Sequence, residues 1–195
     1  MIISLNGFMG CGKSSVGRKL SELLSCAFID LDSAIEEAAG RKIPEIFATN
    51  GEAAFRKMEL QTLQKLLAAN SQVSGMMADE KVNLILSLGG GTVMTPECAE
   101  AVNDHTLCIY LRASVDTLVS HLEGESEGRP MLNCGAASSD SEALRHRIEE
   151  LMSIRSATYE KIAHIIIDTD GKEISHIAED IYSIYICADP NNSAL

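Results

Sequence analysis

Basic residues are in short supply: 16 Lys and Arg stand against 28 Asp and Glu, a formal net charge of −12. A surface this acidic argues against general nucleic-acid binding and leaves anion binding only where its few arginines and lysines are concentrated. No apolar run approaches the ~20 residues needed to cross a bilayer. No C-x-x-C spacing or paired framework links the six cysteines at 11, 26, 98, 108, 134 and 187. Five of them lie in or beside apolar stretches, so the expectation is buried free thiols and a reducing compartment. Met1 runs directly into an apolar strand, which leaves no room for a leader and predicts a cytoplasmic location. Neither an internal repeat nor a low-complexity tract is present. Phenylalanine is scarce, with only four copies, so two of them falling close together carries information.

The segment Gly7-Phe8-Met9-Gly10-Cys11-Gly12-Lys13-Ser14 is a complete phosphate-binding loop. An apolar run, Ile2–Leu5, precedes it, and a helical stripe of Val16, Leu20, Leu23 and Leu24 follows. Strand–loop–helix is the context such a loop requires. Its glycines let backbone N–H groups turn in around an anion, and the helix N-terminus points positive charge at the same place. Lys13 adds a cation for the outer phosphates, and Ser14 is placed to ligate Mg2+. Cys11 sits at that helix N-terminus, where a thiol becomes more acidic; small size alone also explains its presence.

Apolar runs at 2–6, 27–31, 83–88, 106–111 and 164–168 alternate with helical patterns at 13–25, 33–39, 44–48, 51–70, 96–102, 114–122, 140–159 and 172–187. In the last of these Ile174, Ile177, Ile181 and Ile184 recur at helical spacing. The alternation predicts a three-layer α/β/α domain over 1–187 with a five-stranded parallel sheet, binding its ligands at the strands' carboxyl ends. Residues 32–60 look like a helical lobe for a second substrate. Residues 123–137 are polar and glycine-rich and look like a lid, and 188–195 form a tail.

Candidate chemistry clusters at the predicted strand ends. In Asp30-Leu31-Asp32 extended alternation would put both carboxylates on one side, one for Mg2+ and one for an acceptor hydroxyl. Phe47 and Phe55 flank Arg56 in the lobe, apolar walls beside a bidentate cation suited to a carboxylated ring. Glu59, three residues on, can hold that guanidinium. Gly89-Gly90-Gly91 ends the third strand and lets a ligand approach the backbone. Arg129-Pro130 in the lid offers a cation to a transferring phosphoryl group, and Arg155 in Arg155-Ser156-Ala157-Thr158-Tyr159 can meet a carboxylate opposite Arg56.

Taken in order, G-x-x-G-x-G-K-S, D-x-D, F-x-x-x-G-E-x-x-F-R-x-x-E, G-G-G, R-P-x-L and R-x-x-x-Y resemble the shikimate kinases over nearly all of residues 1–185. The resemblance implies a P-loop kinase of the nucleoside monophosphate kinase-like fold that phosphorylates the 3-hydroxyl of shikimate with ATP and Mg2+ as a monomer. It implies that Gly10, Cys11, Gly12, Lys13, Ser14 and Ser15 cradle ATP, with Ser14 and Asp30 at the metal. Asp32 would bind the acceptor hydroxyls and take the proton. Arg56 and Arg155 would clamp the carboxylate beside Phe47, Phe55 and the Gly89–Gly91 backbone, and Arg129 would reach the phosphates. The chain departs from the family where an arginine commonly precedes the lid: it has Ser120-His121-Leu122-Glu123. Adenine contacts then fall to His121 or to Asp168–Lys172. A gluconate or nucleoside monophosphate kinase would share the loop and lid, but not the paired arginines with two phenylalanines. A degenerate, non-enzymatic module would be expected to lack Lys13, Asp32 or Arg129.

Overall fold

In the computed structural model, which describes residues 1–71, 81–123 and 141–188, five apolar runs pair into one parallel sheet. The strands are β1 (Ile2–Asn6), β2 (Ala27–Asp30), β3 (Leu84–Ser87), β4 (Leu107–Arg112) and β5 (Ile165–Asp168), in the order β2-β3-β1-β4-β5. β1 is central and all five of its residues are buried, because a strand covered by helices on both faces has no solvent side to carry alternating polar residues. Its register pairs Ile3 with Ile85 on one side and Leu5 with Ile109 on the other. Each such aliphatic residue, fully buried, stabilises the fold by roughly 1.5–3 kcal/mol.

The α-helices among the described residues are α1 (Lys13–Leu24), α2 (Leu31–Ala39), α3 (Ile43–Ser71), α4 (Pro96–His105), α5 (Val115–Leu122), α6 (Ser141–Ile162) and α7 (Ile174–Ala188). Helix α1 packs on β1 and β3 with α7 alongside, while α4 and α6 pack together against β4. From β1 the chain moves to β2 and β3 on one side and later to β4 and β5 on the other. The crevice at the carboxyl ends of β1 and β3 is therefore the switch point where an open α/β sheet binds ligands.

The expected elements all occur, with local differences. β2 stops at Asp30 because the Asp30 carboxylate caps the next helix, accepting from Ser33 N at 3.2 Å. Asp32 consequently lies in the first turn of α2 and not on an extended strand end. The two helices expected at 44–48 and 51–70 are continuous as α3 except for a break at Gly51, whose φ of 76° and ψ of 172° only glycine adopts readily. On α1 the apolar stripe is narrower than expected: Val16 and Leu20 are buried, but Leu23 is 37% exposed. On α7, Ile177 and Ile181 are buried while Ile174 and Ile184 reach the surface. Cys11, Cys98 and Cys108 are buried, but Cys187 is exposed, against expectation; Cys134 lies outside the described residues. The predicted lid beyond Glu123 lies outside them as well. Among the described residues, no helix is long and apolar enough to cross a membrane.

Candidate active site

A cleft of about 720 Å³ opens at the carboxyl ends of β1, β2 and β3 and is lined by residues from both halves of the chain. On one side the phosphate loop joins β1 to α1. Gly12 precedes α1 with a φ of 90°, a left-handed conformation that side chains resist. Gly10, at a φ of 82°, is confined as well: a Cβ there would lie 2.8 Å from Leu122 Cγ, which would have to move. Lys13, only 8% exposed, donates from Nζ to the carbonyls of Gly7 at 2.9 Å and Phe8 at 2.8 Å. Gly10, Gly12, Ser14 and Ser15 line the cleft with Lys13. Cys11 is not among the residues lining the cleft: its side chain is buried, with Sγ 3.9 Å from Lys13 Nζ.

Ser14 Oγ donates to Asp30 Oδ2 at 2.6 Å, and Ser87 Oγ lies 3.3 Å from the same hydroxyl. These are hard oxygen donors, and among the described residues no group of three or more His, Cys, Asp or Glu side chains forms a cage. Such a sparse oxygen set fits Mg2+, which keeps most of its waters and is shared with phosphates.

Asp32 faces the same cleft from the first turn of α2. Burial pushes its carboxyl up from 3.8 to about 6, and Asp30, Glu59 and Glu36 push in the same direction while Lys13 opposes them. The expected pairing of the two carboxylates thus holds in space, although a helix turn and not strand alternation delivers it.

The rest of the lining comes from α3, the turn after β3, and α6. Phe47 and Phe55 stack with ring centroids 4.7 Å apart, tilted by 39°. Arg56 Nη1 donates to Glu59 Oε2 at 2.8 Å, and its Nη2 reaches Glu52 at 3.2 Å. Glu59 is 1% exposed; its other oxygen accepts from Thr92 Oγ1 at 2.7 Å. A buried carboxylate so paired is a fixed anchor for a guanidinium. Arg155, from α6, points Nη1 at Gly90 O at 3.4 Å and lies 5.8 Å above the Phe8 ring. Both arginines meet at the triple-glycine turn: a Cβ on Gly91 would lie 2.8 Å from Arg56 Nη2. Gly89 is equally confined, since a Cβ there would stand 2.7 Å from Asp32 Oδ1.

Thr92 was not legible as a site residue, because its partner Glu59 is 33 positions away. Tyr159 is a second case, its hydroxyl donating to the Gly90 carbonyl. At the nucleotide end, His121 and Ile174 line the cleft. His121 Nδ1 lies 2.9 Å from Gly10 O; a carbonyl only accepts, so Nδ1 carries the proton. Asp168 and Asp170 are engaged elsewhere, with Arg112 and with Ser114 N. Arg129 lies outside the described residues.

A phosphate loop, a Ser–Asp oxygen pair and a second, cation-lined pocket around one sheet edge define a P-loop phosphotransferase that acts on a small molecule. Comparisons with known proteins narrow the class. The family profile described as shikimate kinase matches residues 9–185. A shikimate kinase of Thermus thermophilus is 37% identical over 179 residues, spanning 92% of this chain and 86% of that protein. That of Chlorobaculum tepidum is 36% identical over 181 residues, spanning 92% and 87%. Among solved structures, Acinetobacter baumannii shikimate kinase in complex with shikimate superposes with a TM-score of 0.83 at 28% identity, covering 97% of this chain and 94% of that one. The chain belongs to the shikimate kinase family.

Proposed function

We infer that this chain transfers the γ-phosphoryl group of ATP to the 3-hydroxyl of shikimate, giving shikimate 3-phosphate and ADP on the route to chorismate and aromatic amino acids. Family membership supports the reaction. The observation that carries the acceptor assignment is the convergence of Arg56 and Arg155 on the Gly89–Gly91 turn, which packs beside the phosphate loop at Met9. Two guanidinium groups beside unhindered backbone suit a carboxylate, which takes paired, charge-assisted hydrogen bonds. Phe47 and Phe55 supply the apolar wall for its ring.

Phosphoryl transfer depends chiefly on positioning and on stabilising spread negative charge. Mg2+, when bound, supplies charge neutralisation across the phosphate oxygens; Ser14 and Asp30 would hold it. Gly10, Cys11, Gly12 and Ser15 would cradle the phosphates through the loop and helix N-terminus, and Lys13 would transfer its hydrogen bonds from Gly7 and Phe8 to phosphate oxygens. Asp32 would orient the acceptor hydroxyl and take its proton. A carboxyl at about 6 is ionised at neutral pH yet more basic than an ordinary aspartate, as a general base needs to be. Arg129, in the segment 123–137 read as a lid, would add positive charge to the transferring group. Residues 32–60 would form the acceptor lobe of a single domain over 1–187. We read the protein as a monomer in the cytoplasm, in keeping with its unpaired thiols among the described residues; sedimentation equilibrium tests the monomer.

A coupled assay of ADP release with shikimate, gluconate and nucleoside monophosphates tests the assignment. Release stimulated by shikimate alone is expected. Stimulation by gluconate or a monophosphate, with none by shikimate, overturns it.

A further inference from the structure

Tyr159 closes the motif that Arg155 opens, yet no role in the reaction has been given to it. It is completely buried, and its ring stacks on Tyr110 with centroids 5.4 Å apart. Asn6 Nδ2, at the end of β1, lies 3.4 Å from its backbone carbonyl. An apolar environment of this kind is filled well by phenylalanine, so the hydroxyl requires its own explanation. Burial raises the phenol's pKa and the charge of Arg155 opposes that rise. The group is neutral at physiological pH, with one proton to donate and lone pairs to accept.

That proton goes to the carbonyl of Gly90, the same oxygen toward which Arg155 Nη1 points at 3.4 Å. The Tyr159 hydroxyl and the Arg155 guanidinium thus meet at one peptide oxygen of the acceptor pocket. The peptide is planar and trans, so fixing the Gly90 carbonyl toward α6 turns the Gly91 N–H to the opposite side. Neither Gly90 nor Gly91 carries a side chain that could hold the turn, and a Cβ on Gly90 would stand 3.0 Å from Met9 N. Thr92 N closes the turn on Gly89 O at 3.1 Å, and Tyr159 adds a partner for the carbonyl in its middle.

We propose that Tyr159 is a positioning residue for the acceptor, locking Arg155 and the Gly90–Gly91 peptide into one geometry that receives the substrate carboxylate. This rests on the reading of the cleft as a shikimate site. The role is distinct from that of Arg155: Tyr159 needs no contact with substrate and acts by removing the freedom of two groups that have it.

The test is Tyr159→Phe, which keeps the ring and deletes one hydroxyl. Isothermal titration calorimetry of the full chain with shikimate and, separately, with ADP gives two dissociation constants. Shikimate binding is expected to weaken roughly tenfold, near the top of the usual range for one neutral hydrogen bond, with the ADP constant unchanged within about twofold. In the background Arg155→Lys, adding Tyr159→Phe should weaken shikimate binding by less than about threefold, because part of its effect runs through the missing guanidinium. An unchanged shikimate constant in Tyr159→Phe overturns the role. So does equal weakening for both ligands, or loss of both, since the hydroxyl then serves the fold as a whole. Full additivity with Arg155→Lys also overturns it. Wild-type protein that binds ADP but not shikimate overturns the functional reading, and this role with it.

Discussion

Replacing Asp32 by Asn should make the ligand-free protein more stable at neutral pH while stopping its chemistry. The folded state holds the Asp32 carboxyl at about 6 against 3.8 for an unperturbed group. Folded protein therefore binds this proton more tightly than unfolded protein, so ionising the group costs stability. The cost is absent below about pH 3.8, grows between 3.8 and 6, and is constant above that. Two pH units at ~1.4 kcal/mol each set an upper bound of about 3 kcal/mol. Asp32 faces an open cleft, and solvent screening reduces the expected gain for Asp32→Asn to about 2 kcal/mol. For a domain of this size that is a rise in Tm of roughly 4–8 °C. Urea unfolding of both proteins at half-unit steps from pH 4 to 8 measures it. The gap should be small at pH 4 and reach its plateau near pH 7. A gap independent of pH, or a variant less stable at pH 7.5, would refute the electrostatic account. Turnover of the variant should fall by about 10²–10⁴ through loss of the general base. In the wild type, kcat/KM for shikimate should decline as pH falls through about 6.

Arg155→Ala should weaken shikimate binding by at least tenfold and leave ADP binding near wild type in calorimetry; equal loss of both would move Arg155 out of the acceptor site. Lys13→Ala should cut turnover by at least a hundredfold in the coupled assay, and near-normal turnover would remove the phosphate-loop lysine from the chemistry. Gly51→Ala should destabilise the protein by about 1–2 kcal/mol in urea, purely through its backbone at φ 76°, since nothing lies within 4 Å of an added Cβ. Thr92→Val should strip a donor from buried Glu59, costing about 1–3 kcal/mol and raising the KM for shikimate more than that for ATP.

What could be read from the chain follows from which interactions are local. The inner strands, buried on both faces, appear as unbroken apolar runs, and the edge strands β2 and β5, though partly exposed, keep short apolar runs of their own; the phosphate loop carries its geometry in glycine spacing. Arg56 and Glu59 were legible as a pair because three residues bring them to one helix face. The way Asp32 reaches the cleft was not. D-x-D fits both a strand end and a first helical turn, and the choice turns on whether Asp30 or Asp32 caps α2. Contacts made across the chain left no local trace. Thr92 meets Glu59 from 33 residues away, and Tyr159 meets Gly90 from 69. His121 could be suspected only from a missing arginine; its hydrogen bond to Gly10 O comes from a helix packed against the loop. The buried stripes on α1 and α7 are narrower than their periodicity implies, because periodicity does not reveal how wide a neighbouring surface is.

The position of Lys13 bears on how the loop exists before any anion arrives. Its ammonium is withdrawn from water, and the carbonyls of Gly7 and Phe8 replace the hydration it gave up. The chain thus acts as solvent for its own cation. Most of the rotamer freedom of a long side chain is lost during folding and not at the moment of binding. An incoming phosphate exchanges one set of oxygens for another around a charge already in place.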